Sequence, residues 1–325
     1  MSDDFLVHFR GVRGSIPTPP RPSQIKDKVK KVLELASADD IKDEASIERF
    51  LQSIPFHLHG FIGGNSTCIQ MKVGGHHLFF DAGSGAFPMA QDLLRAEFGR
   101  CKGRAHWFFT HTHHDHIMGI PMFGPLYVPG NHFTMLSPYQ DLRERFIRNQ
   151  HPEFFPVNFS DLGSTIDFVH LENKEGGENS YQIGDVTIRW LENDHPGRSY
   201  SYRVEYQGKS VILSTDAEYK ELDPMKLQPV IDFFHGADLL IFDAQYAFTE
   251  SVEMKRDWGH SSSFVGIDLA LDAEVKKLAL FHHEPTFDDF KLIHNLDRAK
   301  LYLRKNGGDE DLELFIAHED LIMNM

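Results

Sequence analysis

The chain has 325 residues, of which 41% are hydrophobic and 25% charged, and its formal net charge is −15. This composition is typical of a folded globular protein. The acidic excess argues against a long nucleic acid as partner, because such partners are bound through basic side chains. No apolar run is long enough to span a bilayer, and the acidic start does not resemble an export signal. With only two cysteines, Cys68 and Cys101, we expect a cytoplasmic protein without a membrane partner.

Short apolar stretches bounded by Gly, Asn or Asp alternate with helical segments along the chain. The predicted strands are 5–10, 67–73, 77–80, 105–110, 165–170, 186–191, 200–206, 210–214, 238–242, 277–281 and 312–317. The predicted helices are 90–98, 137–150, 224–235, 261–271 and 288–305. Residues 202–213 predict a hairpin that turns at Gln207-Gly208. No long linker divides the sequence, so we expect one domain over residues 1–325.

Residues 21–54 differ from the rest of the chain because they are charge-rich and carry apolar side chains at helical spacing. Val29, Val32 and Leu33 illustrate the first helix, and Ile47 and Phe50 the second. The segment predicts a helical insertion whose apolar face packs onto the surface of the domain. A lid or a dimer arm is the alternative interpretation.

A dense cluster of metal-ligand residue types follows the predicted strand 105–110. His111, His113, Asp115 and His116 lie at positions i, i+2, i+4 and i+5 of one turn. Such a turn can bring imidazoles and a carboxylate together, and Zn²⁺ and similar metals favour these ligands. Without a cation, so many titratable groups would resist burial. We therefore interpret these four residues as candidate metal ligands.

The run His111-x-His113-x-Asp115-His116 resembles the signature of the metallo-β-lactamase superfamily. The resemblance implies an α/β fold, a four-layered αβ/βα sandwich, that forms a single domain over residues 1–325. Residues 21–54 would be an inserted N-terminal helical segment within it. The resemblance extends from about residue 5 to residue 289.

Three later residues resemble the remaining metal ligands of this superfamily and occur in the same order. His195 precedes the predicted hairpin, Asp216 ends a strand and resembles the carboxylate that bridges two metals, and His282 ends another strand. His283 competes for the last position, but the resemblance favours His282 and makes His283 a supporting residue or a residue at the rim. The implied cofactor is two divalent metal ions, with zinc favoured and manganese or iron as alternatives.

Four runs resemble the phosphodiesterase-like branch of the superfamily, which includes ribonuclease Z and cyclic-nucleotide phosphodiesterases. They are residues 11–17, 63–68, 80–85 and 258–262. Asp81 resembles the carboxylate that orients metal ligands in this branch. His260 resembles the histidine that contacts the phosphate and donates a proton. The catalytic residues implied by the resemblance are Asp115, Asp216 and His260.

These features predict a dinuclear metal-dependent hydrolase that cleaves a phosphodiester bond with a metal-bridged hydroxide. We expect a small or cyclic nucleotide as substrate, because residues 117–194 lack the basic, glycine- and proline-rich arm with which ribonuclease Z binds tRNA. Three arginines on one predicted helix, Arg143, Arg145 and Arg148, could meet a substrate anion. Surface pairs with Asp141, Glu144 and Glu153 are the favoured interpretation. Lactone or carboxylic ester hydrolysis, cofactor maturation and tRNA 3′ processing remain alternatives. Because dimers are the commonest soluble assembly, we expect a homodimer.

Overall fold

The computed structural model of the protein describes residues 4–174, 178–219, 224–246, 259–308 and 311–325. Within these ranges, two seven-stranded sheets pack against each other through a shared apolar core. Helices cover their outer faces, and four layers result. The predicted four-layered α/β sandwich is confirmed.

The first sheet contains the six strands nearest the N-terminus and the last strand of the chain. They are β1 (Phe5–Gly11), β2 (Cys68–Val73), β3 (His76–Phe80), β4 (Arg104–Phe108), β5 (His132–Ser137), β6 (Thr165–His170) and β14 (Ile322–Asn324). Their order is β14-β1-β2-β3-β4-β5-β6. Strands β3 to β6 run parallel, and the other neighbours are antiparallel.

The second sheet contains the strands between these. They are β7 (Ser180–Ile183), β8 (Val186–Asn193), β9 (Ser199–Tyr206), β10 (Lys209–Ser214), β11 (Leu239–Asp243), β12 (Lys277–Phe281) and β13 (Glu313–Ile316). Their order is β13-β12-β11-β10-β9-β8-β7, and β10 to β13 run parallel. The predicted hairpin joins β9 to β10. Gln207 and Gly208 have φ of 49° and 77°, as the tight turn of a hairpin requires.

The helices lie on the outside of the sandwich. They are α1 (Pro22–Leu35), α2 (Glu44–Ser53), α3 (Phe56–His59), α4 (Ala86–Arg95), α5 (His114–Ile117), α6 (Leu142–Asn149), α7 (Pro224–Phe234), α8 (Ser263–Asp272) and α9 (Asp289–Lys305). Helix α4 packs on the first sheet, where Arg10 donates to Asp92 at 2.7 Å. Helices α7, α8 and α9 pack on the second. In the part of the chain that the structure describes, no helix is long and apolar enough to cross a membrane.

An aromatic cluster holds the outer layer of the first sheet in place. Trp107 of β4 is fully buried and contacts Phe79, Phe123 and Phe133 at ring-centroid distances of 5.5, 4.6 and 6.2 Å. Its indole Nε1 also donates to the carbonyl of Asp81 at 3.0 Å. Since tightly packed aromatic rings resist displacement, this cluster fixes the ends of β3 and β4, from which part of the site extends.

The helical insertion predicted over residues 21–54 corresponds to α1 and α2, and the short helix α3 lies just beyond it. The apolar face of the insertion is only partly covered, since Ile25, Val29 and Leu33 are each at least half exposed. The attachment to the body is polar. Lys28 donates to the carbonyl of Gly60 at 2.6 Å and to the buried carboxylate of Asp289. A buried ion pair, rather than apolar packing alone, therefore connects α1 to α9.

All predicted strands overlap observed ones, but the helix predicted over residues 137–150 is wrong in its first part. Ser137 is the last residue of β5, and α6 begins at Leu142. The physical reason is Pro138, because a proline forces the residue before it into the extended region. Strands β5, β7 and β14 have no predicted counterpart.

Candidate metal centre

The predicted site residues follow strands of both sheets. Asp81 follows β3, residues 111–116 follow β4, Asp216 follows β10, and His282 directly follows β12. His195 lies in the connection between β8 and β9. Because the carboxyl ends of parallel strands meet at one edge of a sheet, and the two sheets face each other, these side chains converge.

Four of the predicted ligands form one group. His111, His113, His195 and Asp216 each offer one donor atom, and these atoms lie within 4.8 Å of one another. Asp216 Oδ2 lies 3.6 Å from His111 Nε2 and 3.8 Å from His195 Nε2. His195 Nε2 lies 3.1 Å from His113 Nδ1. Four ligands about 2.0 Å from a tetrahedral zinc ion lie about 3.3 Å apart, so this group has the spacing of a metal site.

The other predicted ligands, Asp115, His116 and His282, form a second group beside the first. His282 Nε2 lies 3.3 Å from His116 Nε2 and 3.4 Å from Asp115 Oδ2. Asp216 Oδ1 lies 3.1 Å from His116 Nε2 and 3.2 Å from His282 Nε2. The two carboxylate oxygens of Asp216 therefore face different groups. The structure brings all seven predicted ligands together.

Three of the imidazoles are oriented by a hydrogen bond that Nδ1 donates to an oxygen of the protein. A ring that holds its proton on Nδ1 keeps the lone pair of Nε2 for a metal, and Nε2 is the atom that faces the cluster in each case. The donor–acceptor pairs are His116 with Asp81 Oδ2 at 2.8 Å, His195 with Gly259 O at 2.9 Å, and His282 with Gln245 Oε1 at 3.0 Å.

His111 provides a direct test of whether a cation fits. Its Nε2 atom is buried and has no hydrogen-bond partner among the residues that the structure describes. A buried nitrogen without a partner is costly, and a metal ion at this point would satisfy it. The donor set of imidazoles and carboxylates also suits zinc, manganese or iron. The residues present therefore fit bound divalent metal ions.

The charges of the cluster are strongly coupled. Burial opposes protonation of His116, but the carboxylates of Asp216, Asp115 and Asp81 raise its pKa well above the usual value. Burial and the charge of His116 lower the pKa of His111 well below the usual value. Burial disfavours the ionised form of Asp216, yet the neighbouring imidazoles, His116 first, hold its pKa well below the usual range. The carboxylate of Asp216 is therefore ionised.

His260 lies at the side of this cluster. Its ring stacks on His282 with centroids 5.0 Å apart, and its Nδ1 donates to Asp243 Oδ2 at 2.8 Å. Burial lowers the pKa of His260, but Asp243 outweighs burial and raises it to about 9. The imidazole is therefore protonated at neutral pH, with Nε2–H as its remaining donor.

Asp81 occupies the position expected of a carboxylate that orients a ligand. It is fully buried. Besides the bond from His116, its Oδ1 accepts from the backbone N–H of Thr110 at 2.8 Å and its Oδ2 from the Thr110 hydroxyl at 2.7 Å. Three donors thus hold the carboxylate, and the carboxylate holds the ring of His116.

His283, the other candidate for the last ligand, faces away from the cluster. Its Nε2 donates to the carbonyl of Ala317 at 2.7 Å, and burial together with Arg13 lowers its pKa to about 3. Its backbone N–H donates to Val12 and its carbonyl accepts from Gly14. His283 therefore supports the 11–17 loop, whereas His282 faces the other predicted ligands.

Two glycines in the runs singled out by the sequence lie against metal-ligand candidates. A Cβ at Gly14 would lie 2.5 Å from His282 Nδ1, and one at Gly259 would lie 2.1 Å from His195 Nδ1. Gly259 also has a φ of +83°, which side chains rarely adopt. Trp258, the first residue of that run, lies outside the described residues. Close approach to the imidazoles therefore explains both glycines.

Sequence reasoning missed three partners of the site. Ser15 donates its backbone N–H to Asp115 Oδ2 at 2.7 Å, and Gln245 accepts from His282. Ser15 lies in the run 11–17 that the sequence singles out, but nothing in that run indicated this contact, and Gln245 carries no sequence signal. Asp243, the partner of His260, was predictable in principle. It ends the apolar strand β11 much as Asp216 follows β10.

Three site residues have a left-handed backbone. The φ angles of Asp81, Asp216 and His282 are 55°, 50° and 57°. This region is sparsely populated by residues other than glycine and clusters at functional sites. In each case the turn follows the end of a strand and directs the side chain into the cluster.

Comparisons with known proteins agree with this geometry. The family model described as a beta-lactamase superfamily domain matches residues 76–283. Ribonuclease Z of Natronomonas pharaonis is 23% identical over 267 residues, which cover 67% of this chain and 81% of that protein. The structure is similar to the metallo-beta-lactamase fold protein YhfI from Bacillus subtilis, with a TM-score of 0.62, 16% identity and 99% of each chain covered. It is also similar to unliganded yeast PDE1, with a TM-score of 0.61, 11% identity and 99% of each chain covered.

The family model covers more than half of the chain, and both structural likenesses extend over nearly all of it. The chain therefore belongs to the beta-lactamase superfamily and is a hydrolase with the metallo-β-lactamase fold.

Proposed function

We propose that the protein hydrolyses a phosphodiester bond of a small nucleotide with two divalent metal ions, zinc first among them. The observation that carries the proposal is the division of the two Asp216 oxygens between two groups of donor atoms. Asp216 would contact both ions. The first ion would be held by His111, His113 and His195, and the second by Asp115, His116 and His282.

When bound, such ions supply positive charge at the phosphate and lower the pKa of a bound water towards neutrality. The protein itself supplies the proton for the leaving group. His260 holds a proton at Nε2, because Asp243 fixes Nδ1 and keeps the ring charged. From that atom it donates the proton to the departing alkoxide oxygen.

The ribonuclease Z relatives, whose name denotes cleavage of a phosphodiester, favour a phosphoryl centre over a carbonyl centre. An alkoxide leaving group needs a proton at either centre, and the imidazolium of His260 beside the cluster provides one. The net charge of −15 supports a small substrate rather than a long polyanion.

The test is hydrolysis of bis(p-nitrophenyl) phosphate by protein of measured metal content, with and without EDTA. We expect about two metal ions per chain and turnover that the chelator abolishes. Asp216→Asn should lose metal and turnover together. Asp238→Asn is the matched control, because Asp238 is also a buried carboxylate. It lies just before β11, away from the cluster, and accepts from the backbone N–H of Ser210 in β10. Full turnover by Asp216→Asn, or by metal-free protein, would refute the proposal.

A substrate panel then separates the related activities. It should contain cyclic mononucleotides, dinucleotides, a precursor tRNA with a 3′ trailer and a lactone. Cleavage of the precursor tRNA above all small substrates would assign the protein the activity that its relatives' name indicates. Lactone turnover without phosphodiester turnover would move the reaction to a carbonyl centre.

A further inference from the structure

A cavity of about 580 Å³ adjoins the metal-binding turn. Its volume is within the usual range of small-molecule sites. Residues from the turn, from α6 and from the segment after α6 line it, among them Thr112, His114, Arg145, Arg148, Asn149 and Phe154. Thr112 and His114 flank His113, whose side chain is exposed. The metal centre and the cavity therefore open to solvent next to each other.

The cavity is basic although the chain as a whole is acidic. None of the lining residues that the structure describes is an acid, and two are arginines. Arg145 is held by three contacts. It donates to Thr112 Oγ1 at 2.9 Å and to Asp141 Oδ1 at 2.9 Å, and it lies 3.9 Å above the ring of Tyr139. A fixed guanidinium thus forms one wall beside the turn.

The second arginine is the one available to a ligand. The side chain of Arg148 is 73% exposed, and it lies 3.8 Å from Asp141, which is itself 50% exposed. Exposed pairs of this kind contribute little, so an incoming phosphate competes well for the guanidinium. The Thr112 hydroxyl accepts from Arg145, and its own hydrogen is left for an acceptor such as a phosphate oxygen.

An exposed aromatic ring completes the cavity. Phe154 is 76% exposed, more than any other phenylalanine in the described part of the chain. Exposed phenylalanine rings beside arginines provide the flat surface on which nucleic-acid bases stack. Phosphate contacts and a stacking surface thus occur together within one cavity.

We propose that this cavity binds a nucleotide unit of the substrate, with its phosphate at Arg148 and Thr112 and its base on Phe154. The inference rests on the proposed phosphodiesterase function and narrows its substrate class. A cyclic mononucleotide has one phosphate, which the metal centre would take. Arg148 and Thr112 would hold a second phosphate in the cavity. The substrate class is therefore a linear dinucleotide that carries a terminal phosphate in addition to the scissile one.

The first experiment measures binding of thymidine 3′,5′-bisphosphate by isothermal titration calorimetry. Loss of one charge-assisted hydrogen bond in Arg148→Gln should raise Kd about tenfold. Phe154→Ala should raise it by a similar factor through lost stacking. Arg143→Gln is the matched control, because Arg143 is an exposed arginine of α6 that does not line the cavity. Its Kd should stay within about twofold of wild type. Equal effects of the two arginine variants, or no effect of either, would overturn the inference.

A kinetic comparison gives the second readout. The wild-type KM for one of the phosphorylated dinucleotides pTpT and TpTp should be about tenfold below that for TpT. Arg148→Gln should bring this ratio close to one, and Arg143→Gln should preserve it. Turnover of bis(p-nitrophenyl) phosphate by the wild-type protein reports on the proposed function separately. If that ester is hydrolysed but TpT and its phosphorylated forms have equal KM, the cavity assignment fails and the phosphodiesterase assignment stands.

Discussion

Replacing Asp81 by asparagine tests how the chain orients one imidazole of the cluster. The carboxylate accepts three hydrogen bonds, two from Thr110 and one from His116 Nδ1. The asparagine oxygen keeps the bond from the Thr110 amide, and the hydroxyl of Thr110 turns to accept. At the third contact, the new NH₂ group and the Nδ1–H of His116 are both donors and face each other without an acceptor. The imidazole relieves this contact by giving up the proton on Nδ1 and keeping one on Nε2, the atom that faces Asp216.

Zinc then competes with that proton. Loss of an outer hydrogen bond of this kind lowers metal affinity about 10- to 100-fold. This range corresponds to about 1.4–2.7 kcal/mol. Competition with a chromogenic chelator measures the zinc affinity directly. Turnover per bound metal ion then measures whether the substitution also affects catalysis by the metal-loaded protein.

Asp268→Asn is the control for this substitution, since Asp268 accepts from the hydroxyl of Tyr302 at 2.9 Å on the far side of the second sheet. It should bind zinc as the wild type does. If Asp81→Asn binds zinc with wild-type affinity, the hydrogen bond to His116 has no role in holding a metal.

Two further predictions concern the rest of the fold. Cys68 is buried and burial raises the pKa of its thiol, whereas Cys101 is exposed, so we expect Ellman's reagent to modify only Cys101 before denaturation and both thiols after it. Rapid modification of both in the native protein would contradict this placement. Burial and the neighbouring His76 and His132 lower the pKa of His106 to about 4 from 6.5. The unfolded chain therefore takes up a proton that the folded chain refuses, and the free energy of unfolding falls between pH 6.5 and pH 4 more steeply than in His106→Gln. Urea titrations at the two pH values measure this difference, and equal losses in both proteins would disprove it.

The sequence predicted the site best where the candidate ligands are close together in the chain. Residues 111–116 lie on one turn, so their convergence could be predicted from spacing alone, and the apolar strands before Asp216 and His282 indicated where the later residues belong. The structure brings these residues together. Their roles as metal ligands stay predictions, as do the single domain, the cytoplasmic location and the dimer.

What the sequence did not reveal depends on contacts between distant segments. Gln245 and Ser15 contact the cluster only because the fold brings their loops to it. Strands β7 and β14 are short edge strands with little apolar pattern, so no local signal marked them. Arg148 was interpreted as part of a surface pair, and the pair exists. Its position at the cavity follows from packing that no spacing rule describes.

The left-handed turns at Asp81, Asp216 and His282 have a consequence for the stability of this protein. Such a conformation costs an L-residue roughly 1–2 kcal/mol, a cost that glycine does not bear. Glycine would remove this cost at any of the three turns, but it would also remove a buried side chain and leave its partners unpaired, as the donors of Thr110 and His116 would be without Asp81. Because an unsatisfied buried donor costs about 1–3 kcal/mol, the hydrogen bonds of the cluster outweigh the backbone cost and hold the chain in these turns.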